Sequence, residues 1–308
     1  MHLPSRRAGP GRGAARPARP AAPTEALMKI LYVSRDYAGY SGAYYQHQFY
    51  EALCAQHEVA FVDLAHGPAV VPQVDWVVYG FGWWEEGAPP AVSVPPAPVA
   101  MCLTKEYKEL RQKVAYSRRQ AQVVFTASLP VALSEHFVWL PFGVRQDVFA
   151  GSIGSYEWDV GFSGSSQARW GLTLREELQA HLCRRSHRLY WSGREGTLEE
   201  YAARVRRSRL WLATPGPAGV VSPRYFEVMA TGTTALICPR SPDYGSLFVD
   251  GVDCRMFSSL DELDEVIAEL LRDDDRRLRL VTAAQEAVAA SHTWRHRVDA
   301  MTAVLEQG

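Results

Sequence analysis

From Met28 onward the chain alternates short, β-rich apolar runs with segments whose apolar residues recur at helical spacing. The first series predicts strands at KILYVS (29–34), EVAFVDL (58–64), DWVVYGF (75–81), PVAMCLT (98–104) and QVVFTAS (122–128), with helices over 43–56 and 105–120 between them. Several of these runs are apolar without alternation, as required of strands covered by helices on both faces. The order strand, helix, strand therefore predicts a parallel sheet, a Rossmann-like unit.

A second series begins at WDVGFSGS (158–165). It continues through RLYWSG (188–193), RLWLATP (209–215), TTALICP (233–239) and CRMF (254–257). The chain thus reads as α/β with two Rossmann-like domains. The join falls in LPFGVRQDVFAGSIGSYEWD, where Pro, Gly and Ser accumulate. Near the end, Ser259 and Glu262 stand at capping-box spacing before Leu260, Leu263, Ile267 and Leu270, which predicts a surface helix. Residues 292–306 predict one last amphipathic helix. The expected division is 1–27 as a tail, 28–150 as the first domain, 151–291 as the second, and 292–308 as the closing helix.

Composition narrows the function classes. With 308 residues, 47% hydrophobic, 22% charged and nine tryptophans, the chain is long enough for two packed domains. The 33 basic residues nearly balance 34 acidic ones. Five arginines and one acid fall in the first 27 residues, leaving 28 basic against 33 acidic groups in the rest. Such a balance argues against nucleic acid as a partner. The run Arg204, Arg206, Arg207, Arg209 reads as a solvated helix face. Residues 1–27, rich in Ala, Pro, Gly and Arg, predict disorder and have no apolar core of a secretory signal, so Met28 reads as the domain start.

Cys54, Cys102, Cys183, Cys238 and Cys254 form no CxxC pair and predict buried free thiols in a reducing, cytoplasmic setting. His292 and His296 lack the acidic or sulfur companions of a metal site. No stretch approaches the ~20 apolar residues of a membrane span, which leaves room only for peripheral membrane contact.

The segment GPAGVVSPRYFEVMATGTTALICP (216–239) carries the most chemistry. Ser222 followed by Pro223 predicts a helix start, with the serine hydroxyl capping backbone amides. A helix start at the carboxyl end of a strand can receive a diphosphate. Glu227, one turn in, can accept from both hydroxyls of a ribose, and Arg224 can neutralise phosphate charge. Gly232, Thr233 and Thr234 end the helix. The plain reading of the same residues is a capped helix with Glu227 in solvent.

SPRYFEVMATGT resembles the donor-site segment of group 1 glycosyltransferases, nearest the spore-maturation glycosyltransferase-like branch. LPFGV (140–144), WDVGFSGS with Arg169, EEYAARVRRSRLWL (199–212), LFVDGVDCRMF (247–257) and HTWRHRV (292–298) follow in the family's order, so the resemblance covers about residues 100 to 305. It implies the GT-B fold, two Rossmann-like domains facing across a cleft, with a C-terminal helix packing back toward the first. It implies a nucleotide-diphosphate sugar as donor, no cofactor and no metal. Glu227 would hold the ribose, Ser163 and Gly164 would line the loop after the second domain's first strand, and Arg169 would face the diphosphate. Ser222, Arg224 and Thr233 complete the expected donor set. Many retaining members carry a second glutamate eight positions before the first; here that position is Gly219.

The acceptor is expected on the first domain, with Asp36 or His47 as general base; each also reads as an ordinary surface or packed residue. The aromatic residues Tyr44, Tyr45, Trp83 and Trp84 read either as sugar-stacking faces or as packing. Lys105 and Glu106 take no role. Two rivals to a glycosyltransferase remain: a non-catalytic GT-B-like binding or assembly protein, and a nucleotide-sugar epimerase.

Overall fold

The computed structural model describes residues 27–36, 44–64, 73–81, 96–105, 108–165, 173–193 and 196–308. The expectations for the N-terminal tail, Trp83, Trp84, Glu106 and Arg169 lie outside the described residues.

The first sheet contains β1 (Lys29–Ser34), β2 (Glu58–Asp63), β3 (Trp76–Tyr79), β4 (Val99–Leu103), β5 (Val123–Thr126) and β6 (Val138–Trp139). All pairs are parallel and the spatial order is β2-β1-β3-β4-β5-β6. Helices α1 (Tyr44–Cys54), α2 (Leu110–Gln120), α3 (Leu129–Glu135) and α4 (Gln146–Phe149) connect and follow the strands. The second sheet contains β7 (Trp158–Ser163), β8 (Leu189–Ser192), β9 (Ser208–Leu212), β10 (Ala235–Pro239) and β11 (Arg255–Phe257), ordered β11-β10-β9-β7-β8 and again parallel. Its helices are α5 (Thr173–Leu182), α6 (Leu198–Arg206), α7 (Pro223–Ala230), α8 (Leu260–Arg272) and α9 (Asp274–Ala287). Each sheet reverses its strand order once, between β1 and β3 and between β7 and β9. Such a reversal opens a crevice beyond the carboxyl ends of the strands.

All ten strands predicted from the apolar runs form; the two-residue β6, and helices α3, α4 and α9, had no comparable signal. Helix α2 starts at Leu110 rather than 105, because Lys105 and Glu109 both take positive φ (51° and 52°) and break the preceding turn. The Ser259 cap forms, its hydroxyl accepting from Glu262 N–H at 3.1 Å, while Glu262 reaches back to Ser258 N–H at 2.7 Å. The reciprocal bond of the box is displaced by one residue.

The final helix α10 (Trp294–Leu305) lies against α1 of the first domain. Trp294 Nε1 donates to Gln48 Oε1 at 3.0 Å, and His57 pairs with Thr302 Oγ1 at 2.8 Å. Trp294 is 2% exposed and packs edge-on to Phe142, so one continuous apolar core runs from the first sheet into the second domain. The arginine run is solvated at Arg204 and Arg207 and half-buried at Arg206 and Arg209, and each guanidinium has a contact within the chain. Arg206 donates to the carbonyls of Val148 and Phe149, Arg207 pairs with Glu157, Arg209 pairs with Asp274, and Arg204 lies over Tyr190. Of the five free cysteines, Cys54 and Cys183 are exposed rather than buried, because each sits at the outer end of its helix. Among the described residues no helix is long and apolar enough to cross a membrane.

Candidate functional site

Helix α7 starts where the sequence places it, with Pro223 in the first turn. The expected cap is not made: the Ser222 hydroxyl accepts no bond from the helix, and its backbone carbonyl takes Tyr225 N–H at 3.3 Å instead. Glu227 is not in solvent either. It is 1% exposed, and its Oε1 accepts from the Tyr44 hydroxyl, at the start of α1 in the other domain, at 2.6 Å. Its Oε2 and the hydroxyl of Tyr201 on α6 face each other in the buried interior without reaching full hydrogen-bond geometry, and Tyr201 still acts on the carboxylate. Burial raises the Glu227 carboxyl above the ordinary range, against the opposing pull of the Tyr44 hydrogen bond, Arg224 and Tyr201. Burial and the neighbouring Glu227 likewise push the phenols of Tyr44 and Tyr201 well up. A buried carboxylate with one oxygen well bonded and the other only loosely met is costly to keep.

A second polar cluster stands at the β7/β9 strand reversal. Arg175, in the first turn of α5, is 7% exposed. Its Nε donates to Thr214 Oγ1 at 2.7 Å, just past β9, and its Nη1 donates to the Ser165 carbonyl at 2.5 Å, just past β7. The guanidinium lies over the Phe162 ring at 5.7 Å. Burial, and then the like charge of Arg224, push Arg175 down to about 10, still positive at neutral pH. Two cations brought together at a strand-end crevice make a positive site there, with Glu227 within reach of Arg224. Ser163, the last residue of β7, keeps a buried Oγ without a partner beside them. Gly164 has φ +154°, a conformation that favours glycine where the backbone leaves the strand.

Of the residues expected in the donor set, Ser163 and Gly164 sit at the end of β7 on the Arg175 cluster, and Arg224 links that cluster to Glu227. Thr233 does not join them. It lies beyond the carboxyl end of α7, just before the amino end of β10, with its hydroxyl on the Arg206 carbonyl at 3.2 Å and its own carbonyl accepting from Tyr156. Arg175 and Tyr201 had no signal of function in the residue pattern except one. A cation in the first turn of a helix opposes the helix dipole, and Arg175 occupies such a position.

Gly219 closes a short helical turn, Pro217–Gly219, with φ +68°. A Cβ there would stand 2.4 Å from Asp243 Oδ2 and 3.0 Å from Pro130, so no side chain fits without displacement. The turn is fastened to the first domain, where the Ser128 hydroxyl donates to the Ala218 carbonyl at 2.8 Å. On the first domain Asp36 and His47 line one cavity at the carboxyl end of β1. His47 also lies 3.5 Å from Glu51, one turn along α1. Tyr45 packs edge-on against Phe142 at 4.9 Å, a core contact, whereas Tyr44 reaches Glu227. His292 is buried against Arg297 and pushed down to about 4 by burial. Among the described residues no three His, Cys, Asp or Glu side chains converge as a metal site.

The fold is similar to that of several solved glycosyltransferases. HepE of Anabaena, solved in complex with UDP and glucose, superposes with a TM-score of 0.59 at 12% identity, covering 91% of this chain and 100% of that one. Sucrose-phosphate synthase from Thermosynechococcus elongatus gives 0.65 at 12% identity over 91% and 98%. An α-glucosyltransferase in complex with UDP and a 13-mer DNA gives 0.63 at 11% over 91% and 100%. No curated protein matches the chain. Residues 168–303, which hold Arg175, Arg224 and Glu227, match the family model described as glycosyl transferase-like, and the two parallel α/β domains have the GT-B fold.

Proposed function

We propose that the chain is a glycosyltransferase that takes a sugar from a nucleoside-diphosphate sugar. The observation that carries this reading is the pair of cations Arg175 and Arg224 at the β7/β9 reversal, beside a buried Glu227 whose Oε2 makes no hydrogen bond of full geometry. The diphosphate sits on the two guanidiniums near the start of α7, and the ribose hydroxyls complete Glu227. Tyr44 occupies the place of one ribose hydroxyl in the present arrangement and yields it when donor enters. In the reaction the bond from the anomeric carbon to the diphosphate oxygen breaks and a bond to the acceptor oxygen forms. The nucleoside diphosphate leaves with the electron pair, its charge met by the arginines, and the acceptor proton passes to Asp36 or His47.

Because guanidiniums meet the leaving charge, the proposed reaction uses neither metal nor cofactor; turnover unchanged by EDTA checks this. The SPRYFE segment supports placement near the spore-maturation-like branch, and five free cysteines fit a cytoplasmic site. The UDP complexes of the structural neighbours make UDP the first nucleotide to try.

One observation favours a second reading. Glu227 is sealed by a tyrosine from the opposite domain, as in a latch that only holds a non-catalytic GT-B-like protein together. Calorimetric titration with nucleoside diphosphates separates the two: a nucleotide that binds and whose binding depends on Glu227 supports the enzyme, and absence of binding leaves the latch.

A further inference from the structure

A cavity of about 250 Å³ opens between α1 and the strands β1 and β2, at the edge where β1 ends. Gln46, in the first turn of α1, lines it, is 1% exposed, and has no hydrogen-bond partner at either Oε1 or Nε2. A buried carboxamide with both ends unmade is a net loss to the fold unless something fills it. Tyr50 stands one turn further on the same face of the helix. Its ring lies 5.3 Å from Tyr32 and 5.2 Å from Phe61, and Tyr32 and Phe61 stack on each other at 6.2 Å. The Tyr32 ring lies down over Gly80, where a Cβ would come within 1.9 Å of its hydroxyl oxygen. Glycine at position 80 is what allows that floor.

Aromatic faces beside a carboxamide that both donates and accepts match a ring with hydroxyls on its rim and C–H groups on its face. Arg35 and Asp36 line the cavity together, so it presents no single sign of charge. Its volume falls below the ~300–1,000 Å³ of pockets that enclose drug-sized ligands, which fits one ring and not an extended molecule.

We propose that this cavity is a subsite for a single neutral sugar ring, the end of the acceptor glycan or glycoside, gripped by Gln46 and seated on the Tyr32, Tyr50 and Phe61 faces. The acceptor role rests on the donor reading above; the sugar site itself does not. Asp36 and His47 border the same cavity, which puts both candidate bases beside the hydroxyls of a ring held there.

Saturation-transfer NMR on the full chain tests it, with the methyl glycosides of glucose, galactose, mannose, rhamnose and N-acetylglucosamine as probes, and UDP measured in the same samples. At least one glycoside should show saturated ring protons, and Gln46→Leu should weaken that binding roughly tenfold while leaving UDP binding in place. Because Gln46→Leu removes an unsatisfied amide, the variant should melt at or above the wild-type temperature, so lost binding is not lost folding. Gly80→Ala should also weaken the glycoside by raising the Tyr32 ring. UDP binding with no glycoside signal, or a signal that Gln46→Leu leaves unchanged, overturns the subsite and spares the donor reading. Glycoside binding sensitive to Gln46 without any nucleotide binding supports the subsite and sinks the donor reading.

Discussion

The two crevices at the strand ends are built from opposite materials. The crevice of the second domain is built from charge: Arg175 and Arg224 repel one another beside a buried glutamate. The cavity of the first domain is built around a neutral carboxamide and three aromatic rings, with Arg35 and Asp36 of opposite sign at its border. A diphosphate must be matched by fixed charge in a desolvated place, and this leaves strained electrostatics behind when the ligand is absent. A sugar ring needs only hydrogen-bonding edges and apolar faces, groups that also make up ordinary packing. The sealed state of Glu227 joins the halves, because its partner Tyr44 belongs to the same first turn of α1 as Gln46.

Removing the charge should have the largest effect. Arg175→Met with Arg224→Met deletes two charge-assisted contacts to the diphosphate, each worth ~1.5–3 kcal/mol, and should weaken UDP binding by roughly 100- to 10,000-fold while uridine binding changes little. Titration of both ligands checks it; equal losses for uridine and UDP would move the diphosphate elsewhere.

Glu227→Ala should cost roughly 10- to 150-fold in nucleotide affinity, from the lost ribose bonds. Here 2′-deoxy-UDP is the sharper probe, since wild type should discriminate against it and the variant should not. Tyr44→Phe should move affinity the other way. The phenol competes with the ribose for Oε1, so its removal should tighten nucleotide binding by about 2- to 10-fold while lowering the melting temperature. A latch without a ligand would show the loss of stability and no change in binding.

The smallest effect is a pH dependence. The Glu227 carboxyl is raised in the folded state by burial, so the folded chain holds that proton at a pH where the unfolded chain has released it. Stability from this group is therefore intact below the ordinary carboxylate range and falls as pH rises from that range through the raised value. Glu227→Gln, neutral throughout, should melt higher than wild type at neutral pH, and the difference should vanish in acid. Melting curves from acid to neutral pH read this directly; a constant difference would place the titration on another group.

Much of the fold was legible because its signals are local. The unalternated apolar runs marked ten strands, and Ser222-Pro223 marked the start of α7 although the serine cap does not form. Strand β6 is only two residues long, too short for any pattern. Glu227 and Arg224 stood out by their places at the start of α7, Glu227 also through resemblance, whereas the burial of Glu227 was not legible, because Tyr44 reaches it from 183 positions away. Arg175 escaped because an arginine among REEL residues looks like a surface helix, and only its place against the helix dipole marks it. Gln46 escaped for a similar reason: a glutamine on a helix looks exposed, and only the packing of β1, β2 and α1 shows it buried. Thr233 was misplaced because nearness in sequence to α7 says nothing of which end of the helix a residue occupies.

The central claim is that Glu227 and the arginine pair form a donor site. The most direct measurement is calorimetric titration of the full chain with UDP, GDP, ADP and dTDP, with Glu227→Ala in parallel. The account predicts selective binding of one nucleoside diphosphate that weakens at least tenfold in the variant. Binding of none of the four, or binding that Glu227→Ala leaves untouched, would contradict it.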